Sequence, residues 1–543
     1  MAAAYSEAID LLPELPRLLL SVADVAAMAE ELTAYHGHFA PLFQRSEQRQ
    51  WAAVYLRGLL TADVPRKNSE AMALRLLGAG EGAEARVRAL QQFIGEGGWD
   101  DDAILAEHRR LVGQSLGEDD GVLIVDESAI PKRGDHSAGA ARQWCGALGK
   151  QENCQVGVFL GYASRTGYTL LDRRLYLPKE WFAVDHRERW EACRIPDDTP
   201  LASKADLAGQ MLEAAVGGGP RARWLTCDEW YGRDPGFLDR VAGLGLDYLA
   251  EVSKHTMIWP LIEPADGVTP RPSPQTWLPP RNASGRGRTP VRVRRHPDSA
   301  APLRVDALAA QLPATAWRRF RVLEGARGPL VADFAALRAV VVREGLPGPE
   351  VWLLLRRPLP NAEDQPELKY FLSNAPAAIP STALVRVSGM RWPIETCFEE
   401  GKGEAGLDHY ELRFWRGWHH HMTMVILAHH FLVRLQPLLE PRGGAPKATR
   451  RASMRGTGGL SGRGAPRRLV SRAATAVASP ANPPAGAAAP VCGLAAAGPH
   501  RGLRAGAGRL LAAPQSHRLW RASQVNAPTA APTSPVNQVS LSY

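Results

Sequence analysis

The spacing of hydrophobic residues changes character several times along the chain. From residue 1 to 115 the apolar positions recur at helical intervals, as in VAAMAEELTAYHGHF from Val25 and RQWAAVYLRGLL from Arg49. This pattern predicts a helical N-terminal region. Two interpretations stay open for it: a small bundle that binds DNA, or a layer that packs against the rest of the protein or mediates dimerisation.

Between residues 116 and 252 short apolar runs replace the long helical pattern. Strands are expected at 121–126, 154–164, 166–178, 222–228 and 246–252, with helices at 204–216 and 234–245. The second and third strands form a hairpin that turns at residues 165–167. The order β-β-β-α-β-α-β predicts an α/β layer with one antiparallel pair on an otherwise parallel sheet.

Residues 253–380 are rich in Pro and Gly and have weak helical periodicity, which predicts a β-rich insertion. Its strand candidates are 317–325, 336–344, 351–358 and 369–374. A loop at 281–295 contains six arginines and no acid. It is interpreted either as a phosphate contact or as a solvated, disordered segment. Helical spacing returns in residues 381–440.

The net positive charge of the chain comes entirely from residues 441–543. The formal net charge is +9, but residues 441–543 hold fourteen of the 65 Lys and Arg and none of the 56 acids. Residues 1–440 therefore carry a net charge of −5, and any contact with nucleic acid must rest on local patches. The segment from 441 has no hydrophobic period, which predicts a disordered basic tail. Because it contains no acid, we hypothesise that it is translated out of frame.

The six cysteines are scattered and form no CxxC pair, which argues against a zinc site or a disulfide framework. The first twenty residues lack the positive n-region of a secretory signal. No apolar run reaches the ~18 residues of a spanning helix. We expect an intracellular protein that has no contact with membranes.

Two of the predicted strands end on acids, VLIVDES at Asp126 and RWLTCDEW at Asp228. Functional groups of α/β sheets gather beyond the carboxyl ends of strands, so these carboxylates are expected to meet. Strand alternation turns Glu127 to the opposite face from Asp126. Two close carboxylates repel unless a cation lies between them, and Mg²⁺ prefers oxygen ligands. The alternative is that each acid is an ordinary turn or cap residue.

A third acid is expected in the segment SGMRWPIETCFEEGKGEAGLDHYE, which begins at Ser388. On a helix Glu395, Glu399 and Lys402 share one face at i, i+4 and i+7. Arg391 and Lys402 flank Glu395, as suits a site that binds phosphate. The alternative is an ordinary charged helix face.

With these three acids in order, the chain resembles the DDE-type insertion-sequence transposases. One branch of that family carries its third acid in a Tyr-x2-Arg-x3-Glu-x6-Lys signature, and Arg391, Glu395 and Lys402 have that spacing. Ser388 stands at the Tyr position, which is a departure. VDESAIPKRG, CDEWYG and the N-terminal FQRSEQRQWAAVYLRGLL and PRKNSEAMA also look like the family.

The resemblance implies an α/β, RNase H-like mixed sheet flanked by helices, with the helical N-terminal region and the β-rich insertion. It implies that Asp126, Asp228 and Glu395 bind two Mg²⁺ or Mn²⁺ ions and catalyse DNA cleavage and strand transfer. The substrates would be terminal inverted repeats and target double-stranded DNA, bound by a homodimer in the bacterial cytoplasm at the nucleoid. The residues expected to contact DNA are Arg391, Lys402, Lys132, Arg133, Arg292, Arg294 and Arg295.

Two rival functions remain. One is a nuclease on the same scaffold that cuts but does not join DNA, and the other is an inactive relic that only binds the element's ends. Five histidines, at 419–421, 429 and 430, lack the spacing of a zinc pair, so a surface or DNA-facing helix is the favoured interpretation there.

Overall fold

A computed structural model describes residues 22–261, 274–279, 291–325, 328–359 and 367–439. The predicted tail at 441–543 and residues 281–290 of the basic loop lie outside the described residues. No helix of the described ranges is long and apolar enough to cross a membrane.

The helices fall into an N-terminal group, a group after the hairpin and a C-terminal group. They are α1 Val22–Phe39, α2 Ser46–Leu60, α3 Ser69–Leu77, α4 Ala83–Gly95, α5 Asp101–Leu116, α6 Arg187–Ala192, α7 Lys204–Gly218, α8 Glu229–Gly232, α9 Pro235–Gly243, α10 Val305–Gln311, α11 Ser381–Gly389, α12 Trp392–Ala405 and α13 Trp415–Leu439.

The strands lie between α5 and α11. They are β1 Val122–Pro131, β2 Ala141–Cys145, β3 Lys150–Ala163, β4 Tyr168–Leu175, β5 Trp224–Cys227, β6 Asp247–Val252, β7 Met257–Pro260, β8 Thr276–Trp277, β9 Arg294–Arg295, β10 Leu303–Arg304, β11 Arg318–Gly325, β12 Gly328–Arg343, β13 Leu346–Pro358 and β14 Lys369–Ser373.

Twelve of these strands form one sheet in the order β10-β7-β12-β13-β14-β6-β5-β1-β3-β2, with β11 on β12 and β4 on β3. Within the described residues, parallel pairing is confined to β1–β5 and β5–β6. The mixed α/β sheet flanked by helices is therefore confirmed and agrees with an RNase H-like fold. The expectation of an otherwise parallel sheet is wrong, because β1 also pairs antiparallel with β3.

The sequence predicted that the first strand ends at Asp126. This is wrong, because β1 continues to Pro131. Parallel pairing with β5 covers Val122 to Val125 only, whereas antiparallel pairing with β3 continues to Pro131. At Asp126 the strand is therefore no longer paired with β5, although its backbone is still paired with β3. This arrangement brings the carboxylate to the edge without a break in the strand.

The four strands predicted for residues 317–374 are confirmed as β11, β12, β13 and β14. They do not form a separate sheet. β14 pairs antiparallel with β6, so the strands of the insertion continue the sheet that carries the acids. The edge beside β6 is thereby closed by β14 and β13.

The sheet has a hydrophobic core on each face. Ile124, Leu249 and Phe371 belong to the core shared with helices α1–α5 and α11–α13. Leu123, Val125 and Leu225 belong to the core shared with α7, α9 and α10. Alternation along β1 thus sends successive side chains to different layers.

Helix α13 is buried between the N-terminal helices and the sheet. Its five histidines are all 8% exposed or less, so the expected surface or DNA-facing helix is wrong. The rings are accommodated by polar partners: His421 Nδ1 lies 2.8 Å from Tyr55 Oη, and His429 Nε2 lies 3.0 Å from Glu400 Oε2. The shared core of α1–α5 and α13 agrees with the packing-layer interpretation of the N-terminal region.

Candidate active site

Three neighbouring parallel strands present an acid at the same register. Val125 of β1 pairs with Cys227 of β5, which pairs with Ala250 of β6. The next residues are Asp126, Asp228 and Glu251, so the pleat directs these three side chains to one face. The sequence predicted that the first two would meet. It missed Glu251, although the strand LAEV also places an acid near its carboxyl end.

Asp126 is the most buried of the three predicted acids, with 7% of the residue exposed. Burial raises the pKa of its carboxyl to about 7. The positive charge of Arg391 acts to lower this pKa, whereas the negative charges of Asp228 and Glu395 act to raise it further. Its Oδ1 accepts a hydrogen bond from the backbone N–H of Glu127 at 2.8 Å. A carboxyl in this environment binds a proton or a cation readily near neutral pH.

Asp228 has two roles in the structure. It is the N-cap of α8, where its Oδ1 accepts hydrogen bonds from the N–H groups of Trp230 at 3.0 Å and Tyr231 at 3.2 Å. Burial also raises its pKa, partly offset by these N–H groups. The alternative interpretation of Asp228 as a cap residue is therefore correct, and the same side chain also belongs to the acid cluster.

Glu395 reaches the cluster from α12, whose first turn contains Pro393 as expected. One turn earlier Arg391 contacts two acids: its Nη1 lies 2.9 Å from Asp126 Oδ2 and 3.6 Å from Glu395 Oε1. Burial acts to lower the pKa of Arg391, but the surrounding carboxylates, Asp126 foremost, raise it overall. The guanidinium is thus the cation that holds the first and third acids together.

Glu127 lies on the opposite face, as alternation predicted. Its Oε2 forms an ion pair with Lys204 Nζ at the start of α7, and that ammonium lies over the ring of Trp230 at 5.4 Å. Glu127 has a dedicated counter-ion and is separated from Asp126 by the sheet.

Glu251 is 7% exposed and pairs with Lys369 of β14 at 2.5 Å. It also raises the pKa of Arg391, second only to Asp126 among the carboxylates. Four acids therefore act electrostatically on one guanidinium, and two of them contact it. Antiparallel pairing of β14 with β6 places Lys369 here, and that long-range contact leaves no local signal in the sequence.

The residues present fit a divalent metal in their chemistry. Carboxylate oxygens are the donors that Mg²⁺ prefers, and a buried carboxyl whose pKa is raised lacks a sufficient counter-charge. In the side-chain arrangement of the structure, however, Arg391 supplies that charge. Among the described residues no group of three or more His, Cys, Asp or Glu side chains lies close enough together to hold an ion.

The other cations predicted from α12 and from the end of β1 occupy different settings. Lys402 is half-buried, two turns after Glu395 on the same face of α12. Lys132 donates to the backbone oxygen of Tyr410 at 3.0 Å and lies over that ring, and burial lowers its pKa to about 8. Arg133 is exposed on the loop after β1. The structure therefore gives Lys132 a partner of its own in the loop at 410.

The described arginines of the basic loop lie in the separate two-stranded sheet β8–β9 or next to it. Arg294 pairs with Trp277 there and is exposed, as is Arg292. Arg295 donates to the backbone oxygens of Ser299 and Ala300 and so holds its own turn.

Ser388, at the position of the signature tyrosine, is 4% exposed on α11. Its hydroxyl donates to the backbone oxygen of Val385 at 2.8 Å. This hydroxyl is therefore committed to its own helix.

Part of the chain matches the model of a known protein family. Residues 38–329, which make up more than half of the chain, match the family model described as DDE superfamily endonuclease. The match includes Asp126, Asp228 and Glu251 and ends before Arg391, so the signature branch stays a prediction. No curated protein matches the chain.

Proposed function

The chain belongs to the DDE superfamily endonucleases, and from that premise we propose that it is a DNA transposase. It cuts the ends of an insertion sequence and joins them to target DNA. The observation that carries the proposal is that Asp126 and Glu395 both contact Arg391, and that the charge of Asp228 acts on the same guanidinium. These acids come from two parallel strands and a distant helix, so their meeting is a product of the fold.

Asp126, Asp228 and Glu395 are the residues that would hold two Mg²⁺ or Mn²⁺ ions. Such ions, when bound, activate a water or a DNA 3′-OH and stabilise the leaving oxygen of an in-line displacement. The protein supplies fixed oxygen donors: Asp228 is held by two N–H groups at the start of α8, and Asp126 is held by one. Both carboxylates are therefore oriented before substrate arrives.

Arg391 and Lys402 bring positive charge to the strand at the site, contacting phosphates without reading base sequence. Lys132, Arg133, Arg292, Arg294 and Arg295 would make further backbone contacts. The N-terminal helical region at 1–115 is proposed to recognise terminal repeats, and the loop at 281–295 of the insertion at 253–380 is proposed to assist. The catalytic part comprises 116–252 and 381–440, and the active form is a homodimer on DNA at the bacterial nucleoid.

The test uses the full chain and the inverted repeats that flank its gene. A duplex of one repeat and its flank is incubated with Mg²⁺ and a supercoiled target plasmid. We expect nicking at the end of the repeat, followed by joining of the 3′-OH end to the plasmid. D126N should abolish both steps and keep DNA binding, because it removes a proposed ligand and leaves the cations in place.

The same assay separates the rivals. Cleavage without joined product identifies a nuclease that does not transpose. Binding without cleavage by the wild type identifies a relic, an outcome that the basic tail at 441–543 makes worth testing. Cleavage by D126N at the wild-type rate would overturn the assignment of the site.

A further inference from the structure

The row of acids at the sheet edge continues as a row of cations on the strands of the insertion. Glu251 of β6 pairs with Phe371 of β14, and Phe371 pairs with Leu354 of β13. Lys369 lies two residues before Phe371, and Arg356 lies two residues after Leu354. These two residues also pair with each other. Because side chains alternate along a strand, Lys369 and Arg356 point to the same face as Glu251.

Lys369 is held at this place and remains accessible. Its Nζ contacts Glu251 Oε1 at 2.5 Å, yet its side chain is 43% exposed while that of Glu251 is 9% exposed. The carboxylate is thus buried behind the ammonium, so the ammonium is the group that a ligand would meet.

The positive charge of Arg356 is not neutralised by an ion pair within the described residues. Arg356 is half-buried, and burial lowers its pKa, an effect that Glu251 partly offsets from a distance. Its guanidinium lies 5.6 Å from the centre of the Phe371 ring. Within the described part of the chain it makes no ion pair, unlike its neighbour Arg357, which pairs with Asp333 at 3.4 Å. A partly desolvated guanidinium without a carboxylate favours an anionic ligand.

We propose that Arg356 and Lys369 form a phosphate-binding site for the DNA strand that enters the acid cluster, with Glu251 as the residue that positions Lys369. The inference rests on the proposed function, since it supplies the track on which that function's substrate lies. The planar fork of Arg356 suits two oxygens of one phosphodiester, and Lys369 brings a point charge to a neighbouring phosphate.

The spacing of the sheet gives the position of this site on the substrate. β14 and β13 lie two and three strand spacings from β5, so the two cations stand about 10 and 14 Å from Asp228 along the edge. With a rise of about 3.4 Å per nucleotide, they reach phosphates roughly three to four nucleotides from the bond that is cut. These contacts position the strand and do not read its sequence.

The test measures binding of the metal-free full chain to a fluorescent mixed-sequence duplex of about 40 base pairs, by anisotropy over a series of salt concentrations. Each lost phosphate contact lowers the slope of log affinity against log salt by about 0.9. We expect R356Q to lose about that amount, and the double variant with K369Q to lose about twice as much. R356K should keep the slope, because it keeps the charge, and bind more weakly because it loses the fork.

R357Q is the matched control, because Arg357 is the next residue of the same strand and faces away from the acids. It should match the wild type in slope. Equal slopes and affinities for R356Q and the wild type would overturn the phosphate site while leaving the proposed transposase intact. Failure of the wild type to bind any duplex would overturn both. If R356Q does not fold, the contrast between R356K and the wild type decides the question.

Discussion

Asp126 and Glu127 are consecutive acids that face opposite sides of one strand, and their surroundings differ in kind. Glu127 forms an ion pair with Lys204. Asp126 shares a single guanidinium, Arg391, with Glu395, and the charges of Asp228 and Glu251 also act on that guanidinium. Glu127 therefore has a cation of its own, whereas Asp126 shares its cation with other acids.

This difference distinguishes an acid that stabilises the fold from an acid that carries the proposed activity, and the sequence alone does not distinguish them. Both residues are acids at the end of an apolar run, and both are largely buried. A paired acid stabilises the fold locally, whereas an excess of buried carboxylates is unfavourable until a ligand supplies positive charge. The Asp126 face therefore carries the proposed activity, and the Glu127 face supports it.

The largest effect should come from an acid that belongs to the cluster, compared with one that does not. Glu395 contacts Arg391, whereas Glu399 lies one turn later and is exposed. We expect E395Q to lower Mg²⁺-dependent cleavage of the terminal-repeat duplex by on the order of a thousandfold or more, since a catalytic ion contributes several kcal/mol. E399Q should cleave within about twofold of the wild type. Equal losses in both variants would show that the charge of α12, and not the position of Glu395, matters.

Much of this comparison could be anticipated from local pattern. Two apolar runs ending on acids, and an Arg-Glu-Lys spacing on a helix, predicted Asp126, Asp228 and Glu395 as site residues, and the structure places all three near Arg391. The period of two placed Glu127 on the other face. Helices with a clear apolar face and the four strands of the insertion were also found, since each depends on residues close together in the chain.

What could not be predicted depends on pairing between distant strands. The strand of Asp126 continues to Pro131 only because β3 covers its other side. Glu251 joins the site because β6 pairs with β5. Lys369 and Arg356 join it only because β14 lies next to β6 and β13 lies next to β14, and the loops between these strands carry no sign of that order. The burial of the histidines on α13 likewise follows from helices about three hundred residues away in the sequence. Register within a strand is a local property, whereas strand order in the sheet is a global one.

A smaller effect should appear in stability, with opposite signs for the two neighbours. Burial raises the pKa of Asp126 to about 7 from an ordinary value of 3.8, so the folded protein holds a proton that the unfolded chain has released between those values. Ionised Asp126 therefore costs stability above pH 7, and the cost disappears below pH 4. In EDTA at pH 8 we expect D126N to raise the free energy of unfolding by on the order of 2 kcal/mol.

E127Q should lower the free energy of unfolding by about 1–2 kcal/mol under the same conditions, because Lys204 loses its partner and is only 15% exposed. Urea titrations at pH 4 and pH 8 measure both variants. Destabilisation by D126N at pH 8 would contradict the idea that one face carries uncompensated charge.

The smallest effect tests whether Arg391 takes the place of a metal ion. Its guanidinium occupies oxygens of Asp126 and Glu395 that an ion would use, so metal binding must compete with contacts worth about 1 kcal/mol. We expect R391Q to bind Mn²⁺ about fivefold more tightly than the wild type in calorimetry without DNA. R386Q is the control, because Arg386 lies on the preceding helix and pairs with Asp120 instead. Weaker binding of Mn²⁺ by R391Q would mean that Arg391 organises the acids for the ion, and the guanidinium would then be a permanent part of the site.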